Sequence, residues 1–390
     1  MAPVKFWLGT KKIYNRGEIM EISYKFRLYP NKRQEDLILR TFGCCRFVFN
    51  YYLFQRIESY KKTGKSPTRF MQDKDLTTLK RQEDTIWLKE VDKCALQNTL
   101  KRLDSAYQHF FRRVKEGKAP GFPHFKSKKQ KKQSYQTNGT IKVLEDTIQL
   151  PKLGGVKCRV SRAIKGRILS ATVSRTASGK YYVTICCRLE DGLQKLPSTG
   201  AVVGLDLGIK SFCVSSDGME YANHRSLQQS EKKLARLQRK LSRKTKDSKN
   251  WNKSRIQIAR LHEHIANQRR DMQQKLSTEI VRQNDIICIE NLTIKNMVRN
   301  HKLAKSISDA GWGEFCRQLT YKAAWYGKQL VVIDRFYPSS QTCSVCGAQW
   351  SGTKDLKVRH WICPVCGVSL DRDVNAAINI MHEGMRLLAQ

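Results

Sequence analysis

The sequence lacks any apolar run near the roughly 18 residues of a membrane span, and its first residues lack the charged-then-apolar layout of a secretion signal. We therefore expect a cytoplasmic protein with no membrane partner. Acidic residues are scarce, because 34 Asp and Glu accompany 73 Lys and Arg, which gives a formal net charge of +39. A charge so far above the needs of solubility predicts a polyanionic partner.

Nucleic acid is a better candidate for that partner than a membrane surface. The basic residues are spread along the whole chain and are interleaved with Tyr, Phe and Trp, which stack on bases. The cysteines do not indicate a disulfide framework, because their number, 13, is odd and the expected compartment is reducing. A chain of 390 residues is long enough for two or three domains.

The first ordered pattern begins at Met20, after a basic and irregular stretch that we interpret as an N-terminal extension, residues 1–19. Apolar and polar residues alternate over 22–28, as in a half-buried strand. The period then changes to that of helices, with a helix cap expected at Asp92. Strands return over 141–190. We expect these strands and the first one to form a small β-barrel with a helical bundle inserted.

A basic segment with interleaved aromatic residues predicts a phosphate-binding loop over 112–132. A second basic surface is predicted on helices over 225–260, where 13 Lys or Arg accompany two acids. In both places a solvated charged face is the alternative. The candidate nucleic-acid-binding residues are Arg112, Arg113, Lys126, Lys128, Lys129, Lys131, Lys132, Arg236, Arg239, Lys240, Arg243 and Lys244.

Four cysteines have the spacing C-x2-C-x16-C-x2-C, which is typical of a four-thiolate zinc site; they are Cys343, Cys346, Cys363 and Cys366. A closed set of four thiolates leaves no position for water, so the expected zinc is structural. Gly347 and Gly367 follow the two pairs, where a positive φ lets backbone amides approach sulfur.

Three acids stand at positions that a fold can bring together. Asp206 ends an apolar strand, Glu290 ends another, and Asp373 lies in the first turn of a helix for which Asp371 is the better cap. Phosphodiester cleavage by two metals needs carboxylate oxygens that hold two Mg2+ ions. The three acids in this order therefore predict a catalytic magnesium site.

Several motifs together resemble the transposon-encoded TnpB family. They are Y-K-F-R-L-Y-P-N-K at 24–32, G-L-D-L-G-I-K at 204–210, I-E-N-L at 289–292, the two C-x-V-C-G pairs, and D-R-D-V-N-A-A-I-N-I at 371–380. The resemblance implies an RNA-guided DNA endonuclease with a wedge barrel, a helical recognition insert and a RuvC-like nuclease of RNase H fold. It also implies that Asp206, Glu290 and Asp373 are the catalytic triad.

The predicted fold class is a multidomain α/β protein, in which the RNase H-like nuclease carries a zinc ribbon. Four domains are expected after the extension. The wedge barrel comprises 20–30 and 118–199, and the helical recognition domain comprises 31–117. The nuclease comprises 200–336 and 369–390, and the ribbon comprises 337–368.

The predicted function is cleavage of double-stranded target DNA, directed by a guide RNA from the transposon end and requiring a short motif beside the target. We expect two Mg2+ ions, one Zn2+ ion and a cytoplasmic, nucleoid-associated location. Three alternatives stay open. They are a compact type V CRISPR effector, a transposase or resolvase that acts without RNA, and an RNA-guided repressor that does not cut.

Overall fold

The computed structural model describes residues 20–129, 133–355 and 357–390. The predicted extension at 1–19 and two of the candidate basic residues, Lys131 and Lys132, lie outside the described residues. The chain divides after residue 191 into two compact units. The finer division into four domains stays a prediction.

The N-terminal unit combines helices with a large sheet. Its strands are β1 (Met20–Tyr29), β2 (Gln133–Thr137), β3 (Lys142–Val143), β4 (Thr147–Leu150), β5 (Gly154–Arg159), β6 (Arg167–Arg175) and β7 (Tyr181–Leu189). Its helices are α1 (Lys32–Thr63), α2 (Arg69–Leu79) and α3 (Lys93–Lys115), with a 3-10 helix at Glu83–Glu90.

Local sequence explains where the long helices begin. The side chain of Asn31 accepts a hydrogen bond from the backbone N–H of Gln34, whose side chain bonds back to Asn31, so α1 starts with a capping box. Asp92 accepts a hydrogen bond from the backbone N–H of Cys94 and caps α3, which confirms the predicted cap.

The strands of this unit form one seven-stranded antiparallel sheet in the order β2-β6-β7-β1-β5-β4-β3. The first strand pairs with β7 over most of its length and lies at the centre. Among the described residues no ladder joins the edge strands β2 and β3, so closure into a barrel stays a prediction. The helices share one hydrophobic core with the sheet, in which Phe42 of α1 contacts Tyr135 of β2.

The C-terminal unit alternates strands with helices. Its strands are β8 (Val202–Asp206), β9 (Ser211–Ser215), β10 (Glu220–Ala222), β11 (Ile286–Glu290), β12 (Gln329–Ile333), β13 (His360–Ile362) and β14 (Ser369–Asp371). Its helices are α4 (Ser226–Ser242), α5 (Lys249–Gln283), α6 (Ile294–Met297), α7 (Ala304–Ala310), α8 (Trp312–Tyr326) and α9 (Arg372–Leu388), with a 3-10 helix at Ser351–Lys354.

Five strands of this unit form a mixed sheet in the order β10-β9-β8-β11-β12. The pairs β8–β11 and β11–β12 are parallel, whereas β9 is antiparallel to both of its neighbours. The α/β layer predicted from the sequence is therefore present. Across residues 20–129, 133–355 and 357–390, every helix is too short or too polar to cross a membrane.

Candidate metal centres and basic surfaces

The sheet of the C-terminal unit places two of the three predicted acids side by side. Strands β8 and β11 are adjacent and parallel, and their register aligns Leu205 with Ile289. The next residues, Asp206 and Glu290, end the two strands. Because the carboxyl ends of parallel strands meet at one edge of a sheet, both carboxylates belong to that edge.

The third acid reaches the same place because α9 packs closely on the sheet. A Cβ atom on Gly204 would lie 2.0 Å from the carbonyl oxygen of Ala377, so only glycine permits this approach. Asp206 lies on the same sheet face as Gly204, two residues further along the strand, and Asp373 lies one helical turn before Ala377. Two strand residues and one helical turn span similar lengths, roughly 6 Å, so Asp373 is set opposite Asp206.

The electrostatics show that the three acids share one environment. Burial, together with the charges of Glu290 and Asp373, raises the pKa of Asp206 to about 7. Burial also raises the pKa of Glu290, and a hydrogen bond from Ser339 opposes that shift. In the part of the chain that the structure describes, the Asp206 carboxylate has neither a hydrogen bond nor an ion pair. Positive charge supplied at this point would stabilise it.

The other two acids have protein partners. The Ser339 hydroxyl donates a hydrogen bond of 2.6 Å to Glu290 Oε1. Arg359, from the cysteine-bearing segment, donates to both carboxylate oxygens of Asp373 at 3.1 and 3.2 Å. Among the described residues, one oxygen from each of the three acids does not lie within 4.8 Å of the other two. The sulfur atoms of the four cysteines do lie within 4.8 Å of one another.

Two asparagines on α9 link this helix to the cysteine-bearing segment. Asn375 donates to the carbonyl of Thr342 and accepts from the backbone N–H of Ser344. Asn379, one turn later, donates to the carbonyls of Ser339 and Thr342. Neither residue was predicted to have a role. Their four-residue spacing, which places two amides on one face of a helix, was the signal that could have revealed one.

The four cysteines converge as their spacing predicted. Cys343 Sγ lies 3.7 Å from Cys366 Sγ, and Cys346 Sγ lies 3.6 Å from Cys363 Sγ. Zinc bound tetrahedrally at about 2.3 Å from sulfur requires sulfur atoms about 3.8 Å apart, so the set can hold one such ion. Backbone amides of Cys366 and Val365 lower the pKa of Cys363 to about 6.

The turns behind the cysteine pairs have the predicted conformation. Gly347 and Gly367 have φ of 78° and 73°, in the left-handed region that favours glycine. Beside the cysteines, Trp361 is buried and stacks on Trp350 with ring centroids 5.3 Å apart. This small aromatic cluster is the core of the segment.

The candidate basic residues near the end of α3 have two kinds of environment. Arg112 and Arg113 lie in the last turn of α3 and are exposed, as are Lys128 and Lys129 in the loop that follows. Lys126 differs, because its Nζ lies 3.7 Å from the centre of the buried Phe49 ring. The loop therefore contains both surface cations and one cation that is packed into the unit.

The candidate basic residues of the second surface come together around one depression at the end of α4. Its lining consists of Arg236, Arg239, Lys240, Arg243 and Lys244. Four of these side chains are exposed, whereas Lys244 donates hydrogen bonds to the Asn250 carbonyl and the Ser254 hydroxyl. A concave surface lined by five cations suits a polyanion.

Comparison with protein-family models gives three matches along the chain. Residues 20–65 match a "Helix-turn-helix domain", although they form β1 and the single helix α1 here. Residues 184–301 match a "Probable transposase", and residues 312–380 match a "Cas12f1-like, TNB domain". The last match includes all four cysteines as well as Asp373.

Most of the chain has the fold of a solved structure. It has a TM-score of 0.54 with Cas12f1 in a Cas12f1-sgRNA-target DNA complex, at 13% identity, and the likeness covers 93% of this chain and 99% of that one. The chain thus has a Cas12f-like α/β fold with mixed sheets and a cysteine cluster.

Two relatives identify the family. The chain is 38% identical over 367 residues to a "Putative RNA-guided DNA endonuclease" of Streptomyces pristinaespiralis, covering 93% of this chain and 89% of that protein. It is 37% identical over 383 residues to the "Putative RNA-guided DNA endonuclease InsQ" of Escherichia coli K12, covering 94% and 93%. The chain belongs to the TnpB family, as its motifs predicted.

Proposed function

We propose that this protein is a transposon-encoded RNA-guided DNA endonuclease that hydrolyses target DNA at Asp206, Glu290 and Asp373. The observation that carries the proposal is the carboxylate of Asp206, which has no partner among the described residues. Its pKa is raised to about 7 by burial and by the charges of the other two acids. A family of relatives named as RNA-guided DNA endonucleases supports the same reading.

The finer architecture is also part of this proposal. The sheet order β10-β9-β8-β11-β12, with Asp206 on its central strand, supports an RNase H-like, RuvC-type nuclease. The seven-stranded sheet supports a wedge domain, and the helices α1 to α3 support a recognition domain. We propose the boundaries predicted above for both. The cysteine-bearing segment at 337–368 would be a zinc ribbon.

The donor atoms fit the two metals differently. Carboxylate oxygens are the ligands that Mg2+ prefers. The pKa of Asp206 is raised by burial and by two neighbouring acids, and a bound cation would offset both causes. When bound, two Mg2+ ions would supply an activated water and stabilise the leaving oxygen. The thiols suit Zn2+, and their closed set of four makes that ion structural.

The chain's other residues would bring the nucleic acid to the acids. The depression on α4 and the exposed cations at the end of α3 would hold the phosphate backbone without reading sequence. Specificity would come from base pairing between the guide RNA and double-stranded target DNA, beside a short target-adjacent motif. We place this activity in the cytoplasm, at the nucleoid.

The test is a comparison of Asp206→Ala with Asp271→Ala, which removes an exposed acid of the same unit. We expect protein purified with its RNA to cut target DNA in Mg2+, Asp206→Ala to bind RNA and DNA but not cut, and the control to cut normally. Undiminished cutting by Asp206→Ala would refute the proposed site.

A transposase or resolvase that acts without RNA is the second candidate, favoured by the match of residues 184–301. Removal of the RNA separates the two, because a resolvase keeps its activity. A repressor without nuclease activity is excluded if Mg2+-dependent products form. A compact CRISPR effector has the same chemistry and is distinguished by the DNA that neighbours the gene.

A further inference from the structure

A cavity of about 230 Å³ in the N-terminal unit contains three basic side chains. Arg46 comes from α1, Arg102 from α3 and Lys126 from the loop before β2. The three are 56 and 24 residues apart in sequence, so the sequence did not suggest the cluster. All three are half-buried, unlike the surface cations of the same loop.

No acid neutralises this cluster among the described residues. The described lining is completed by Phe42, Cys45, Thr99, Ser127, Gln133 and Ser134, none of which is acidic. Within residues 20–129 and 133–355, none of the three cations forms an ion pair. Burial lowers the pKa of Arg102, and burial together with the Arg102 charge lowers the pKa of Lys126 to about 8.

The fold holds Lys126 in this position. Asn50 of α1 accepts a hydrogen bond of 2.8 Å from the Lys126 backbone N–H and donates one of 3.0 Å to its carbonyl. The ammonium lies over the Phe49 ring at 3.7 Å. A lysine fixed through both its backbone and its side chain is unlike a solvated one, which keeps its rotamer freedom.

The uncompensated charge points to the chemistry of a ligand. Half-buried cations without a counter-charge cost free energy, which an anion in the cavity would offset. The cavity has room for about seven waters at ~30 Å³ each, enough for a tetrahedral oxyanion, and Ser127, Ser134 and Gln133 add neutral donor groups. Arginine and lysine around one oxyanion are typical of phosphate recognition.

We propose that Arg46, Arg102 and Lys126 form a pocket for one phosphate group of a bound nucleic-acid strand. The identity of the strand rests on the proposed function, whereas binding of phosphate does not. A phosphate held here would fix the register of that strand on the N-terminal unit, because the three donors come from three different elements.

The first arm of the test uses inorganic phosphate as the probe on the full chain freed of RNA. Replacing chloride by phosphate at equal ionic strength should raise the melting temperature by a few degrees, as linkage requires for a ligand of the folded state. The double variant Arg102→Gln/Lys126→Gln should lose this shift. It should still fold in chloride, because it loses two cations that repel each other.

The matched control is Lys101→Gln/Lys89→Gln, which removes the same charge from exposed positions of the unit. It should keep the full phosphate shift. The pocket is refuted if wild-type protein shows no shift, or if both double variants respond as wild-type protein does. If Arg102→Gln/Lys126→Gln fails to fold in chloride, Arg46→Gln alone must abolish the shift, and an unchanged shift refutes the pocket.

The second arm identifies the strand. If the pocket takes a phosphate of the guide RNA, protein carrying its RNA should no longer respond to phosphate. If it takes one of the target, the response should disappear only after DNA is added. A response that persists in the presence of both nucleic acids overturns the assignment to a strand.

The two proposals can fail separately. Asp206→Ala should keep the phosphate response, since Asp206 belongs to the other compact unit. Loss of cleavage in that variant therefore tests the nuclease alone, and loss of the phosphate response in Arg102→Gln/Lys126→Gln tests the pocket alone.

Discussion

The two candidate metal centres of the C-terminal unit differ in how they are built. Four thiols from residues 343–366 already lie within 4.8 Å of one another. The three acids come from two strands and a helix up to 167 residues apart, and two of them bond to Ser339 and Arg359 instead of converging. The thiol centre is local, and the acid centre depends on the whole unit.

This difference predicts which perturbations each centre tolerates. Two tight turns and a small aromatic core hold the thiols, so a zinc ion bound by them would be the main stabilising element of that segment. The acids are held by sheet register and by the approach of α9 to Gly204. Backbone shifts far from any carboxylate would therefore change the distances between the three carboxylates.

Removal of one thiol should have the largest effect. We expect wild-type protein to purify with one zinc ion and Cys363→Ser to purify without it, because structural zinc contributes on the order of 10 kcal/mol to folding of its site. Metal analysis measures the zinc, and limited proteolysis should show new cleavage within 343–369. Cys94→Ser, at a half-buried thiol of α3, should keep a full equivalent. Full zinc in Cys363→Ser would contradict a four-thiolate site.

The second largest effect is expected for Gly204→Ala, because this substitution displaces a part of the acid centre without replacing an acid. Its Cβ would lie 2.0 Å from the Ala377 carbonyl oxygen, so α9 must move and carry Asp373 with it. A displacement of about 1 Å in a catalytic group can lower rates roughly 10²-fold, and we expect at least that loss of cleavage.

The control for this substitution is Gly155→Ala, a strand glycine of the other sheet whose added Cβ would meet no atom within 4 Å. It should cut DNA at the wild-type rate. Normal cutting by Gly204→Ala would show that the acid centre does not depend on the approach of α9. Zinc content should stay at one equivalent in both variants, because the thiols are held locally.

The sequence predicted the features that depend on neighbouring residues. The cap at Asp92, the thiol cluster and the turns at Gly347 and Gly367 follow from spacing over a few residues, and all are present. The strand that ends in Asp206 was also predicted, because β-branched apolar runs are typical of buried strands.

Contacts between distant elements could not be read in the same way. The pairing of Arg359 with Asp373 and the contacts of Asn379 with Ser339 and Thr342 depend on where α9 crosses the sheet. The cluster of Arg46, Arg102 and Lys126 depends on the packing of two helices and a loop. No periodicity within a single element encodes such contacts, so charge alone did not separate Lys126 from its exposed neighbours.

The third prediction concerns the protonation of Asp206 in the acid centre. The pKa of Asp206 is raised from its ordinary value of 3.8 to about 7, so the folded state holds a proton that the unfolded state releases. Without Mg2+, stability should fall as pH rises from about 4 to about 7, and the full cost, on the order of 4 kcal/mol, should remain above that range.

Asp206→Asn should remove this dependence and be more stable than wild-type protein at pH 8 in buffer without Mg2+, as measured by denaturant unfolding. Addition of Mg2+ should stabilise wild-type protein more than the variant. Asp271→Asn, at an exposed acid, should leave the pH profile unchanged. Equal pH profiles for wild-type protein and Asp206→Asn would show that the pKa of Asp206 is not raised in the folded state.

The smallest effect is expected for Arg359→Gln, which removes the ion pair of Asp373. The pair is partly exposed, with 38% and 24% of the two side chains accessible, so its net contribution is at most about 1 kcal/mol. Without Arg359 as a competitor, the Mg2+ concentration for half-maximal metal binding should fall by up to about fivefold in a calorimetric titration.

Arg386→Gln breaks a pair with Glu383 on the same helix and should leave that concentration unchanged. If Arg359→Gln instead needs more Mg2+ than wild-type protein, the arginine does not compete with metal for Asp373, and its two hydrogen bonds orient that carboxylate for binding.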